Sequence, residues 1–357
     1  MSAPPNNSPT SLVRPAIAAM EGYVPGEQPQ AGKWIKLNTN ENPYAPSPAV
    51  ARALAATAAG RTLAKYPDPM ATAFRRRAAE VLGVEPDWII CGNGSDDLLT
   101  ILVRTFVSEE QYLRMPYPSY ILYRTLAGIQ GAGCDEVHYQ RDWSLGDDFA
   151  TPRDDLRLAI IANPNSPSGT LLPPARVAEI AARLPCAVVV DEAYGDFSET
   201  NCLTLVKDNP RVIVTRSFSK SYALAGLRFG FAVAQPAMIE QMLKVKDSYN
   251  CDTLSIAAAT AAIDDQAWLA DNRKKIIATR RRLIDALRGL GFDALESQAN
   301  FVWFTHASRP HKPIYEALKA EGILIRFMNY AGWGDGLRVT VGTDDEIDAF
   351  LACLKTI

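Results

Sequence analysis

Lys220 stands in the run Thr215-Arg216-Ser217-Phe218-Ser219-Lys220-Ser221-Tyr222-Ala223-Leu224-Ala225-Gly226-Leu227-Arg228. It follows a short apolar segment, Val212–Thr215, that reads as the end of a buried strand, and hydroxyl side chains flank it. A lysine so placed suits a Schiff base to a carbonyl compound. Ser217, Ser219 and Arg228 would donate to a phosphate bound beside it, the arginine with two parallel N–H groups. A second group of interest is Asp191, which closes the run Val188-Val189-Val190. A carboxylate among apolar strand residues needs a cation or hydrogen-bond donors, because a lone buried charge is costly. A protonated ring nitrogen would serve, and so would a neighbouring arginine. The third is Gly92-Asn93-Gly94-Ser95-Asp96-Asp97, between the strand candidate Trp88–Cys91 and the apolar helical run that begins at Leu98. Two glycines there permit close backbone approach, and a helix N-terminus presents unpaired N–H groups to an anion. The same residues would also make an ordinary strand–helix turn capped by Ser95 or Asp96. Lys220 and Asp191 together, each at a strand end, are what pyridoxal phosphate chemistry requires. The lysine links covalently to the cofactor, and the acid keeps the pyridine nitrogen protonated so that the ring can accept carbanion electrons. Tyr194, three residues after Asp191, is placed to hydrogen-bond the ring's 3′ oxygen.

The elements that must position these groups follow from periodicity. Trp88–Cys91, Leu158–Ala162, Ala187–Asp191, Val212–Thr215 and Phe229–Ala234 are short apolar runs without period-2 alternation, as expected of strands covered on both faces. Residues 48–59, 70–82, Pro174–Arg183 and Met238–Val245 have helical spacing. Alternating strands and helices predict an α/β domain with a mostly parallel central sheet, in which ligands gather beyond the carboxyl ends of the strands. From about residue 264 the pattern changes to a long basic helix, Ala267 to Leu290, followed by strands at Phe301–Phe304, Ile323–Arg326 and Leu337–Val341. We therefore expect a disordered tail over 1–14, an arm over 15–44, a large domain over 45–263 and a smaller α+β domain over 264–357. The Arg280–Arg282 cluster reads as a solvated helix face.

Composition narrows the function further. Among 357 residues, 37 Lys and Arg against 40 Asp and Glu give a net charge of −3, which speaks against a nucleic-acid or anionic-membrane surface. Six scattered cysteines without C-x-x-C spacing and only three histidines predict no metal centre. Cys91 and Cys251 read as small buried apolar residues. No apolar run approaches the 18 or so residues of a membrane span, so a cytoplasmic protein acting on small molecules is expected.

Set against known families, the sequence resembles the fold-type I pyridoxal-phosphate-dependent aminotransferases, and within them the histidinol-phosphate branch. The resemblance rests on LNTNENPYAPSP (37–48), KYPDP (65–69), CGNGSDDLL (91–99), PYPSYILY (116–123), ANPNSPSGT (162–170), VVVDEAYGDF (188–197), RSFSKSYALAGLRFG (216–230) and LRVTVGT (337–343). It implies transamination of L-histidinol phosphate with 2-oxoglutarate, by a homodimer with shared active sites. It further implies that Lys220 holds the cofactor, that Asp191 pairs with the ring nitrogen and Tyr194 with the 3′ oxygen. Gly94, Ser95, Asp96, Ser217, Ser219 and Arg228 would surround the phosphate, and Tyr120 would stack on the ring. Tyr66 would reach the phosphate of the neighbouring subunit. Arg338, with Arg326 near it, would bind the substrate anion, and Tyr23 and Asn40 would close the substrate pocket.

One position departs from that pattern. Where the family has NPNNPTG, this chain has Asn163-Pro164-Asn165-Ser166-Pro167-Ser168-Gly169, so Ser166 takes the place of the asparagine that reaches the 3′ oxygen. A serine hydroxyl is shorter and a weaker donor, and Asn165 or a water would have to help. Two related activities share most of these motifs: aromatic amino acid transamination, and decarboxylation as in the threonine-phosphate decarboxylases. A regulator carrying this fold would need a DNA-binding head, for which the short N-terminal tail predicts no room.

Overall fold

The computed structural model describes residues 12–22, 26–29 and 32–357. Their strands are β1 (Ile35–Lys36), β2 (Ile89–Gly92), β3 (Tyr112–Tyr117), β4 (Gly133–His138), β5 (Leu156–Ala162), β6 (Ala187–Asp191), β7 (Val212–Ser217), β8 (Gly230–Val233), β9 (Asp293–Ala294), β10 (Phe301–Thr305), β11 (Ile323–Leu324), β12 (Arg326–Tyr330) and β13 (Gly334–Thr340). Seven of them form the central sheet in the order β2-β8-β7-β6-β5-β3-β4. All neighbours run parallel except β8, which opposes both β2 and β7.

The sheet is buried on both faces. On β6, Val188 and Val190 enter one core cluster and Val189 the other; on β7, Val212 and Val214 part from Ile213 in the same way. Successive side chains of a strand point to opposite faces, so two apolar layers require an unbroken apolar run. Helices Pro48–Ala58, Thr72–Leu82, Pro174–Arg183 and Thr253–Asp264 contribute to the first layer. Ser95–Phe106, Leu122–Gln130 and Pro236–Val245 contribute to the second. A mostly parallel sheet between two helical layers is the α/β architecture expected.

A third apolar cluster belongs to the C-terminal part. Helices Gln266–Gly289, His311–Ala320 and Asp344–Thr356 pack on the antiparallel sheet β12-β13-β10-β9. The last of them starts with a capping box, in which Thr343 and Glu346 satisfy each other's backbone N–H groups. The arm joins this part, because β1 pairs in parallel with β11 and Leu37 enters the same cluster.

Three features differ from the sequence reading. Strands β3 and β4 were not expected, because β3 carries a buried Arg114 and a proline. That arginine is balanced across the strand pair by Asp135 at 2.7 Å and caps the carbonyls of Phe149 and Thr151, which disguises a core strand as a polar one. The single strand expected over Ile323–Arg326 is split at Ile325: β11 pairs with the arm and β12 with β13. The Arg280–Arg282 cluster is not one solvated face. Arg281 and Arg282 are exposed, but Arg280 is buried and donates to the carbonyls of Phe197 and Ala299. Burial lowers its guanidinium pKa to about 10, with Glu199 and Glu296 only partly opposing the fall. Most of the tail expected to be disordered, residues 1–11 of 1–14, lies outside the described residues, and Leu12 to Arg14 lead exposed into a short helix, Pro15–Ala18.

Candidate active site

Asp191 ends β6, Ser217 ends the adjacent β7, and Lys220 lies three residues beyond. Beyond these carboxyl ends opens a cleft of about 790 Å³. Asp191, Tyr194, Ser217, Ser219, Lys220, Arg228, Ser95, Asp96 and Tyr120 all line it. Asp191 is buried and accepts three hydrogen bonds: from the Tyr123 hydroxyl at 2.7 Å on one oxygen, and from Thr215 Oγ1 at 3.0 Å and the Ala193 N–H at 3.2 Å on the other. Among the described residues no ion pair reaches it. Burial raises its pKa, and these donors oppose the rise.

Lys220 Nζ donates to the Thr39 carbonyl at 2.9 Å. Burial lowers its pKa to about 8, helped by the positive charge of Arg338. The lowering enlarges the share of neutral amine, the form that acts as a nucleophile. The backbone around it is clamped: Asn42 Nδ2 donates to the carbonyls of Lys220 at 2.9 Å and Ser221 at 3.2 Å, and Asn272 Oδ1 accepts from the same amide.

On one side of Lys220 the chain builds an anion cradle. Gly94, at φ +85°, precedes the helix Ser95–Phe106, and a Cβ on it would come within 2.6 Å of the Arg228 guanidinium. Arg228, itself left-handed at φ 49°, donates to Ser219 Oγ at 3.2 Å and approaches Asp96 at 3.5 Å. The Tyr120 hydroxyl donates to Asp96 at 3.3 Å. Ser217 Oγ accepts from the Ser219 N–H, which tightens the turn between strand and lysine.

On the other side the arm crosses the cleft. Asn40 Nδ2 donates to the Tyr194 hydroxyl at 2.9 Å, and the Asn40 backbone is held by Thr340 of β13 and by Asn300. Arg338, second residue of the strand expected over Leu337–Val341, lies in the interior of β13, which starts at Gly334. It is buried, donating to Ser166 Oγ at 2.9 Å and to the Asn38 carbonyl at 3.1 Å. Arg326 lines the same cleft from the start of β12.

The remaining candidates distribute differently. Asn165 is turned away from the cleft: its amide group bonds Ser119, Ser168 and the Pro118 carbonyl, so it holds the turn instead of reaching a ligand. Ser166 lines the cleft, with its hydroxyl already accepting from Arg338. Tyr66 lies outside this chain's cleft, 80% exposed and stacked on Tyr249 at 4.5 Å. Tyr23 lies outside the described residues. Cys91 and Cys251 are buried, with thiols pushed up by burial. Sequence reasoning missed Tyr123, the Thr39 carbonyl and Asn42. Tyr123 had one available signal, its position three residues after Tyr120 and so on the same face of an incipient helix.

The aminotransferase class I and II family model matches residues 32–354. The chain belongs to the class I and II aminotransferases. Within this family, a histidinol-phosphate aminotransferase of Rhodopirellula baltica is 56% identical over 343 residues, 96% of this chain and 94% of that protein. Histidinol-phosphate aminotransferase 1 of a Nostoc species is 42% identical over 356 residues, 98% of each chain. The crystal structure of the Sinorhizobium meliloti histidinol-phosphate aminotransferase, in complex with pyridoxal-5′-phosphate, superposes with a TM-score of 0.86 at 28% identity and covers 97% of both chains. The aminotransferase match begins in the arm just before β1 and ends in the last helix, so it spans both walls of the cleft.

Proposed function

We propose that this aminotransferase moves the amino group of L-histidinol phosphate to 2-oxoglutarate, the transamination step of histidine biosynthesis, using pyridoxal 5′-phosphate. The single observation that carries the cofactor is Asp191, a buried carboxylate with three donors on its protein side and no cationic partner among the described residues, opening on the cleft that holds Lys220. A protonated pyridine nitrogen supplies the missing cation, and the glycine-lined helix start beside Arg228 suits a phosphate. The substrate is supported by 56% identity to a histidinol-phosphate aminotransferase.

When bound, pyridoxal phosphate supplies an electron sink that acidifies the α-proton of the amino donor. Lys220 Nζ anchors the cofactor and, once released, holds and moves that proton. Asp191 keeps the ring nitrogen charged, and Tyr194, oriented by Asn40, donates to the 3′ oxygen. Gly94, Ser95, Asp96, Ser217, Ser219 and Arg228 hold the phosphate group, with Tyr120 against the ring. Arg338, assisted by Arg326, grips the phosphate of one substrate and a carboxylate of the other, and Tyr23 and Asn40 close the pocket. We assign Tyr66 to the active site of a second copy, which makes the working unit a homodimer. Residues 45–263 then form the cofactor-binding domain, and 264–357 with the arm 15–44 form the smaller one. The compartment is the cytoplasm, where all six cysteines stay reduced.

The test is a single-turnover titration of the yellow holoenzyme with L-histidinol phosphate and, separately, with L-phenylalanine. Conversion to the pyridoxamine form by histidinol phosphate at the far lower concentration is the expected result. Preferential conversion by phenylalanine would make the protein an aromatic aminotransferase.

A further inference from the structure

We propose that Tyr123 is a positioning residue for Asp191: its buried hydroxyl, together with that of Thr215, holds the carboxylate ionised and aimed at the cleft. This rests on the cofactor reading given above and adds to it a residue that the sequence motifs did not single out.

Tyr123 sits in the first turn of the helix Leu122–Gln130, and its side chain is fully buried. A phenol in a water-free core must find a partner. Here its hydroxyl meets Asp191 Oδ2 at 2.7 Å, the shortest of the three bonds that Asp191 accepts and, among the described residues, the only one on that oxygen. The ring is locked edge-on against Tyr120 at 5.6 Å, so the hydroxyl has little freedom to leave. Burial and the adjacent carboxylate push the phenol well above its ordinary range, which makes it a permanent donor and not a competing acid. Asp96 also acts on Asp191, its like charge favouring the protonated carboxyl. Asp191 is therefore pulled toward neutrality by burial and by Asp96, and held back by Tyr123, Thr215 and the Ala193 N–H. Without the phenol, Oδ2 has no donor among the described residues, the carboxylate becomes more basic, and it competes for the proton on the ring nitrogen. Less positive charge on the ring in turn makes the Lys220–cofactor linkage easier to protonate.

The experiment compares holoenzyme Tyr123→Phe with wild type. The variant keeps the ring and the core packing and deletes one oxygen. Three readouts are taken: the pH midpoint of the visible absorption band, the rate of cofactor loss on dialysis, and kcat and KM for L-histidinol phosphate. We expect the midpoint to move up by about half a pH unit. Cofactor should be lost about tenfold faster, a change in line with removing a hydrogen bond to a charged group. kcat should fall about tenfold with KM near wild type, because the phenol does not touch the substrate. Thr215→Val should move the midpoint the same way, and Thr215→Ser should restore it. If Tyr123→Phe folds normally and leaves the midpoint, the cofactor loss and kcat unchanged, Tyr123 is core packing and the proposal fails. A wild-type protein that takes up no pyridoxal phosphate and shows no visible band would instead overturn the cofactor reading itself.

Discussion

The wall of the cleft that carries Asp191, Ser217, Lys220 and Arg228 comes from neighbouring strand ends within one stretch of chain, residues 191–228. The opposite wall joins groups 300 positions apart, as in the bonds from Arg338 to the Asn38 carbonyl and from the Asn40 N–H to Thr340. The first wall is laid down by the register of parallel strands: Asp191 pairs with Thr215, and the chain then turns through Ser217 and Ser219 to Lys220. The second exists only when the arm lies along the C-terminal sheet, a closure whose entropy must be met by contacts such as the β1–β11 pairing and the burial of Leu37. The proposed function thus puts chemistry on the local wall and recognition on the assembled one.

Four changes would break or sharpen that contrast. The largest effect is expected at the centre of the local wall. Lys220→Ala should lose the visible band and bring turnover to background, and near-wild-type turnover would remove the lysine from its role. On the assembled wall, Arg338→Ala should lower kcat/KM for both substrates by about 2–5 kcal/mol, with cofactor retention close to normal. A loss confined to one substrate would show that the two anions are bound by different groups.

A third change addresses stability. Arg280 ties the turn at Phe197, just after Tyr194, to Ala299, just before β10. Arg280→Ala leaves two buried carbonyls without their donor and should cost about 2 kcal/mol. Arg281→Ala, next to it but exposed, should stay within about 0.5 kcal/mol. Denaturant melts of the two variants would check this, and equal losses would contradict the assignment of Arg280 to the core.

The smallest effect couples the two walls through charge. Only the neutral amine of Lys220 attacks an aldehyde. With its pKa lowered to about 8 by burial and by Arg338, capture of pyridoxal phosphate by the cofactor-free protein should quicken as pH rises and level off above that midpoint. Below it the rate should climb about tenfold per pH unit. Arg338→Ala removes a nearby positive charge and should shift the midpoint upward. A midpoint that stays in place would mean that burial alone sets the lysine.

The amino-acid sequence by itself determined the local wall. Buried strands announced themselves as unbroken apolar runs, and Asp191, Tyr194 and Lys220 stood at or just beyond their ends because a parallel sheet places polar loops there, with Arg228 just ahead of the next strand. It also carried the family motifs of both walls, and so the resemblance implied that Asn40, Tyr194 and Arg338 belong to one site, while the hydrogen bond from Asn40 to Tyr194 came only with the structure. Where a core strand holds a neutralised charge, as β3 does with Arg114, the sequence misleads, because its partner Asp135 lies on the next strand. Only the tertiary structure decided which hydroxyls and amides point where. It turned Asn165 into the turn, gave Ser166 to Arg338, set Tyr123 on Asp191 and buried Arg280 beside exposed neighbours. Composition and periodicity record which face of an element is apolar; which polar atom meets which depends on rotamers and on strands brought together from distant parts of the chain.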